Sequence, residues 1–240
     1  MFAALGLAIT LTFTACGEHS LNALQDGFLE GDDSDSETDN LFCPLTDTRN
    51  GNIYKCARIG SQLWMAENLN YEASGSKCYN DDPANCTKYG RLYDWVTALD
   101  LPSSCNSSTC ASRVSTKHKG ICPAGWHIPN DADWNVLMKF ANPSCKDNDH
   151  CPDAGTKLKA ANGWTEDGGT DNFGFTALPG GSYDGSFYGI GYYGNFWSAS
   201  EADGNNAYGR GMSYSYGLAT YIDWLDHNKD FLRSVRCVKD

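Results

Sequence analysis

Hydrophobic and polar positions divide this chain into three stretches of different character. Residues 1–15 are apolar or small and carry no charge, whereas residues 16–40 are mostly polar and contain eight acidic residues without a lysine or arginine. From residue 41 onward, short apolar runs alternate with clusters of Gly, Asn, Asp and Ser. The pattern predicts a signal peptide over 1–15, a disordered tether over 16–40 and one folded domain over 41–240.

Alternating apolar and polar residues predict a β-hairpin near the start of the domain. Residues 52–60 alternate as a single strand does, and residues 62–66 follow after a short turn as the partner strand. After residue 161 the chain becomes rich in glycine and aromatic residues. We expect short strands and tight turns in this later part.

Two stretches show apolar residues at helical spacing. The clearer one is Asp131 to Ala141, in which Asn130 or Asp131 can cap the first turn and Trp134 lies on the apolar face. The second is Gly90 to Leu99. Together with the strand patterns, these predict a loop-rich α+β domain with two helices.

The first of eleven cysteines indicates where the protein resides. Cys16 follows the apolar run, and Phe13-Thr14-Ala15-Cys16 resembles the bacterial lipobox, in which the cysteine receives a lipid. We therefore predict lipidation at Cys16, a membrane partner through that lipid, and a place at the outer membrane or cell surface. The alternative is an ordinary secretory signal, and both interpretations export the chain.

Export places the other ten cysteines in a compartment that permits disulfides. Ten cysteines allow many pairings, so the connectivity stays open, but eight of them fall into pairs that are close in sequence. These pairs are Cys43 with Cys56, Cys78 with Cys86, Cys105 with Cys110, and Cys145 with Cys151. Cys122 and Cys237 remain, and a bridge between them would tie the middle of the domain to its last strand.

The charge distribution excludes one class of partner. The formal net charge is −12, and residues 16–40 account for −8 of it, which leaves −4 for the rest of the chain. No basic stripe is present to neutralise phosphates, so we expect no nucleic-acid partner.

Several ordered motifs carry a family resemblance that spans roughly residues 43–240. Cys122 to Pro129, Phe196 to Ser200 and Ser234 to Asp240 resemble the Fibrobacter succinogenes major paralogous domain family, as do Gln62 to Tyr71 and Gly90 to Tyr93. The resemblance implies a C-type lectin-like fold, related to the formylglycine-generating enzymes, with two helices, a twisted antiparallel sheet and long loops. It also supports the bridge between the middle of the domain and its end.

The same resemblance suggests an enzyme, which the residues do not favour. A formylglycine-generating oxidase needs a pair of copper-binding thiolates late in the domain, whereas Cys237 is the only cysteine after Cys151. The calcium and sugar triplets of the lectins are missing as well. We therefore expect a protein without catalytic residues.

The glycine- and aromatic-rich tract is the best candidate for ligand binding. Flat rings on glycine-flexed loops can stack on sugar faces while nearby amides bond hydroxyls. The predicted ligand-binding residues are Tyr183, Tyr188, Tyr192, Tyr193 and Trp224.

Acidic turns offer a possible calcium site, although solvated loop acids would look the same. The predicted ligands are Glu166, Asp167, Asp171 and Asp203, because carboxylate oxygens are what calcium binds. No other cofactor is expected.

The sequence therefore predicts a lipid-anchored, non-catalytic binding module, with a carbohydrate or plant-cell-wall polymer as its ligand. A protein-binding adhesin or surface assembly component on the same scaffold is the alternative, and the formylglycine-generating oxidase is a third, weaker one.

Overall fold

The computed structural model describes residues 44–148, 150–151, 153–166, 168–213 and 222–240, with the backbone alone for 222–226. These residues belong to one unit, Thr38–Asp240. The predicted signal peptide, tether and lipidation site at Cys16 lie outside the described residues and stay predictions. Within the described ranges, no helix combines the length and apolar character needed to cross a bilayer.

Helices and strands are both present, which confirms the α+β class, but the described residues contain four α-helices where the sequence predicted two. In the described residues the α-helices are α1 (Pro83–Tyr89), α2 (Trp95–Ala98), α3 (Asp131–Ala141) and α4 (Ala154–Leu158). The strands are β1 (Leu45–Thr46), β2 (Ile53–Tyr54), β3 (Cys56–Ile59), β4 (Gln62–Met65), β5 (Leu92–Tyr93), β6 (Trp126–His127), β7 (Gly180–Tyr183), β8 (Phe187–Ile190), β9 (Tyr193–Glu201), β10 (Asn206–Ser213), β11 (Ile222–Asn228), β12 (Arg233–Ser234) and β13 (Val238–Lys239).

The strands form three sheets. The largest has the order β11-β10-β9-β12-β5, and β7 joins it through β9 while pairing with β8. A four-stranded sheet has the order β3-β4-β13-β6, and β1 pairs with β2. Pairing is antiparallel except where β9 meets β7 and β12, each through one residue pair. The predicted hairpin is confirmed as β3 and β4. The single strand predicted over residues 52–60 is divided at Lys55, because β2 pairs with β1 in a separate sheet.

Helix α3 begins and ends where the sequence pattern places it. The Asn130 side chain accepts hydrogen bonds from the backbone N–H groups of Ala132 and Asp133, and the Asp133 carboxylate accepts one from the backbone of Asn130. This capping box satisfies N–H groups that a helix start leaves without partners. The apolar face is buried against the rings of Trp64, Phe175 and Phe196.

The helix predicted over Gly90 to Leu99 is wrong in its first half. Leu92 and Tyr93 form β5, which pairs with β12, and only Trp95–Ala98 is helical. Asp94 separates the two elements, because its carboxylate accepts a hydrogen bond from the N–H of Thr97 and caps α2. Buried residues on both elements produced the spacing that resembled a longer helix.

Helix α1 was not predicted, although its boundary signals are present in the sequence. Asp82 caps it through the N–H of Ala84, Pro83 occupies the first turn, and Gly90 ends it with a positive φ of 76°. Only Cys86 and Tyr89 are buried. A helix of seven residues with two buried positions is too short to show a periodic apolar face.

Four disulfides match the predicted pairs. They join Cys78 to Cys86, Cys105 to Cys110, Cys122 to Cys237, and Cys145 to Cys151. The predicted bridge from Cys56 involves Cys43, which lies outside the described residues. By the chain-entropy account, the bridge that closes 115 residues contributes about 4–5 kcal/mol and each short one about 2–3 kcal/mol.

A buried ion pair fastens the loop of residues 105–110 to the sheet. Lys229 has no exposed surface, and its ammonium contacts the Glu201 carboxylate and the carbonyls of Cys105, Ser108 and Gly204. Glu201 also accepts hydrogen bonds from backbone N–H groups of the same loop. Every charged atom is therefore hydrogen-bonded, which a buried pair requires.

A second polar contact joins β6 to the start of α3 and to the last strand. The Nδ1 atom of His127 lies 2.7 Å from Asp240 Oδ1, and its Nε2 atom lies 3.4 Å from Asp133 Oδ2. Burial lowers the pKa of His127, but hydrogen bonds to the two carboxylates and their charges outweigh this effect and raise it above the usual value.

We predict that Lys229→Met destabilises the fold by about 3–5 kcal/mol, because it leaves the Glu201 carboxylate buried without its countercharge. Urea unfolding measures the change. Lys139→Met is the matched control, since its pair with Asp147 is 46% and 57% exposed, and it should cost less than about 1 kcal/mol. Equal losses in the two variants would contradict the role of the buried pair.

We predict that the advantage of wild type over His127→Gln shrinks as pH rises. A raised folded-state pKa means that protonated His127 stabilises the fold fully below the ordinary pKa of about 6.5, and that this contribution is lost as pH passes through the folded value. Urea midpoints of both proteins between about pH 5 and 9 provide the measurement. Parallel curves across this range would show that protonation of His127 contributes nothing.

Candidate functional site

The predicted binding tyrosines lie on a glycine-rich hairpin and on the strand that follows it. Strands β7 and β8 form the hairpin, and β9 begins at Tyr193. A Cβ atom at Gly189 would lie 2.5 Å from Cδ2 of Tyr193, and Gly189 has a positive φ of 78°. Only glycine allows the tyrosine ring to lie this close to the β8 backbone.

The structure brings four of the tyrosines to this region, but their exposure differs. Tyr183 is half-buried, with its ring 4.8 Å from that of Phe187. Tyr188 is half-buried beside the buried Arg233, whose pKa burial lowers to about 10. Tyr192 and Tyr193 are 38% and 39% exposed. The second pair therefore presents the larger ring surface to a ligand.

The fifth predicted residue, Trp224, lies on the edge strand of the large sheet. It pairs with Arg210 of β10, which in turn pairs with Phe196 of β9. Two strand spacings, about 10 Å, therefore separate its backbone from β9. Its side chain lies outside the described part of the chain, so a binding role for Trp224 stays a prediction.

The predicted calcium ligands make local hydrogen bonds where they are described. Asp171 accepts from the N–H and hydroxyl of Thr176, and Asp203 accepts from the backbone of Asn205 and Asn206. The Asn206 side-chain amide also donates to Asp203, and this bond, together with the backbone ones, lowers the pKa of Asp203 below its usual range. Glu166 is exposed. The remaining predicted ligand, Asp167, lies outside the described residues, and those described contain no cluster of three metal-ligating side chains.

A cleft that the sequence patterns did not reveal opens beside β2 and α1. Its volume is about 420 Å³, within the range of roughly 300–1,000 Å³ typical of ligand sites. The walls come from β2, from the segment after β4, from α1 and from residues 176–178. The lining side chains that carry its chemistry are Asn52, Asn70, Thr87, Lys55, Lys88 and Glu67.

Of three further cavities, two share lining residues with this central cleft, and the third shares them with one of those two. One of about 290 Å³ shares Ile53, Lys55 and Glu67 with it. Another of about 510 Å³ shares Asn70 and Thr87. That cavity and one of about 530 Å³ are both lined by Arg49, Tyr71 and Glu72. Each of the four cavities therefore shares lining residues with at least one of the others.

The floor of the central cleft is fixed from below by a buried guanidinium. Arg236 donates hydrogen bonds to the Asn68 side-chain oxygen and to the carbonyls of Phe175 and Thr176. Asn68 in turn donates to the Tyr89 carbonyl at the end of α1. Asn68 and Thr176 both line the cleft. Its floor and two of its walls therefore share one hydrogen-bond network.

A signal for the cleft is present in the sequence, in the alternation Asn68-Leu69-Asn70-Tyr71 after the first hairpin. Leu69 is buried while Asn70 is partly exposed in the lining. The alternation resembles one more strand with a solvent-facing side. Its contribution to a cavity depends on α1 and on residues 176–178, which approach it only in the folded chain.

Fold and site together define an α+β domain, closed by disulfides, whose candidate binding surfaces are a tyrosine-bearing hairpin and a series of polar cavities. A family model, the Fibrobacter succinogenes major domain, matches residues 57–239, and the chain belongs to this family. Comparison with curated proteins gave no match, and neither did comparison with solved structures.

Proposed function

We propose that this chain is a non-catalytic binding module for carbohydrate, with a plant-cell-wall polymer as its ligand. The observation that supports this most is the adjacent pair Tyr192 and Tyr193, 38% and 39% exposed, on the hairpin region. A tyrosine ring offers an apolar face to a sugar ring while its hydroxyl remains in water.

The backbone around these rings is held in place before any ligand arrives. Gly191 donates to the Pro179 carbonyl, Thr165 donates to the Gly191 carbonyl, and Tyr192 donates to the Gly189 carbonyl. Side chains carried on an ordered backbone lose less conformational entropy when they bind. The arrangement suits a platform that stacks on a sugar chain.

We further propose that the domain has a C-type lectin-like fold. The bridge of Cys122 to Cys237 supports this, because it joins an inner segment to the last strands as the family resemblance implies. The same bridge disfavours the oxidase alternative, since the last cysteine of the chain then carries no thiol. We also propose that the chain is exported and carries a lipid on Cys16, and only the sequence pattern supports this part of the proposal.

A protein-binding adhesin is the second candidate. The exposed tyrosines favour it too, because tyrosine is enriched in protein-recognition surfaces for its large contact area at low entropic cost. Polymer binding distinguishes the two functions.

We predict that the purified protein binds insoluble cellulose, xylan or pectin, and that Tyr192→Ala with Tyr193→Ala weakens this binding. Two ring contacts of about 1 kcal/mol each give a loss of roughly 30-fold. Depletion pull-down isotherms, with and without calcium, measure it. Calcium dependence would support the predicted acidic site.

The matched control is Phe140→Ala, which removes another exposed ring, on α3 rather than on the hairpin. It should leave binding unchanged, with circular dichroism confirming that all variants fold. Binding that survives the double substitution moves the site elsewhere. Failure of the wild type to bind any polymer contradicts the proposal and favours the adhesin.

A further inference from the structure

The four cavities indicate which class of polymer the domain binds, and this inference rests on the proposed carbohydrate-binding function. We infer that these cavities form one groove that binds an extended chain of acidic sugar units, such as a uronic-acid polymer. The groove is a second contact surface, because its lining residues include none of the predicted binding tyrosines.

The dimensions favour a chain over a single small molecule. Three of the cavities, at about 420, 510 and 530 Å³, are each large enough for a ligand of their own. Neighbouring cavities share lining residues, which suits a ligand long enough to contact more than one of them. A polymer of repeated sugar units can occupy several of these cavities at once, whereas a monosaccharide occupies only one cavity.

Neutral polar groups in the lining suit sugar hydroxyls. The Asn70 side-chain amide makes no hydrogen bond to another described residue and is partly exposed in two of the cavities. Asn52 uses its amide nitrogen on the Asn70 carbonyl, 2.8 Å away, which leaves its oxygen to accept. Donors and acceptors are thus both available along the wall.

The aromatic ring of Tyr71 lines both the cavity of about 510 Å³ and the one of about 530 Å³. The guanidinium of Arg49 lies 3.9 Å from the centre of the Tyr71 ring and forms an ion pair with the buried Asp47. Burial raises the pKa of Asp47, but the hydrogen bonds and charge of Arg49 outweigh this and lower it. The ring is therefore held between the two cavities, with one face against the guanidinium and part of its surface packed on the core.

The charges around the central cleft favour an acidic ligand. Lys55 follows β2 and Lys88 lies on α1, so two lysines line the cleft from different elements, and neither forms an ion pair within the described residues. The Lys88 ammonium lies 4.8 Å from the centre of the Tyr89 ring. Glu67 opposes them, and its carboxylate is held by the N–H of Lys55. Arg236 adds a buried positive charge behind the floor, with no carboxylate bonded to it among the described residues.

In the cavity of about 510 Å³, the charged side chains already have partners of opposite charge. Arg91 forms an ion pair with Glu72, 3.0 Å away, and Arg49 forms one with Asp47. The excess positive charge is therefore concentrated at the central cleft. A carboxylate on the bound sugar unit would neutralise it, whereas a neutral unit would not.

The test compares polygalacturonate with its fully methyl-esterified form, which has the same backbone without the charge. Titration calorimetry on the purified full chain should show the acidic polymer binding at least about tenfold tighter, and more weakly as salt rises. Oligomers of galacturonic acid should bind progressively more tightly from the monomer to the hexamer, as successive cavities fill.

Matched lysine variants locate the contact. Lys55→Gln and Lys88→Gln remove exposed charges from the cleft and should each weaken polygalacturonate binding about three- to fivefold, leaving the methyl ester unaffected. Lys117→Gln removes an exposed lysine outside the lining and should change nothing.

The outcomes separate this inference from the proposed function. Equal binding of the charged and esterified polymers, or of the monomer and the hexamer, overturns the acidic groove. Polymer binding that depends on Tyr192 and Tyr193, and on neither lysine, also overturns the acidic groove but supports the proposed carbohydrate-binding function. If neither these polymers nor cellulose or xylan binds, both the groove and the proposed function fall.

Discussion

A guanidinium that water does not reach connects the segments on which the rest of this fold depends. Arg236 lies between the rings of Phe175 and Phe196, 4.4 and 5.4 Å from their centres, and bonds to Asn68 and to two carbonyls. Burial lowers its pKa to about 9, so it remains charged at neutral pH. Moving a charge into the interior costs several kcal/mol unless it is hydrogen-bonded, which fixes the acceptor segments around it.

The last strands place this residue between the two main sheets. Strand β12 lies between β9 and β5 in the large sheet, and β13 lies between β4 and β6 in the smaller one. Arg236 and Cys237 occupy the short link between them, and Cys237 is bonded to Cys122. A few residues at the end of the domain therefore complete both sheets. The core is therefore closed by contacts between segments that are far apart in sequence.

This dependence explains which parts of the structure were predictable. Helix α3 carries its own capping box and a four-residue buried face, so its sequence specifies it locally. The first hairpin is likewise indicated by alternation, and the three short disulfides by cysteine spacing, whereas the bridge that closes 115 residues was expected from the family resemblance. By contrast, β5 is a strand because Leu92 and Tyr93 pair with β12, more than 130 residues away. No window of sequence around Leu92 contains that partner.

The candidate site divides in the same way. Composition alone identified the glycine- and tyrosine-rich tract, and the structure places four of its tyrosines on β7, β8, the turn after β8 and the start of β9. Composition could not rank these tyrosines by exposure, because the exposure of Tyr192 and the partial burial of Tyr183 depend on contacts with other segments. The cleft was missed altogether, since its walls come from four separate stretches and none of them has an unusual composition.

The two surfaces nevertheless depend on the same internal supports. The cleft is lined by loop residues, which ordinarily move, yet Asn68 and Thr176 are tied to Arg236 and α1 is closed by the Cys78–Cys86 disulfide. The hairpin begins two residues after Leu178, a wall of the same cleft. A binding surface made of loops keeps its shape only when a rigid layer lies directly behind it. In this domain that layer is polar, and the charge that holds it together adds to that of Lys55 and Lys88, on which the inferred preference for an anion rests.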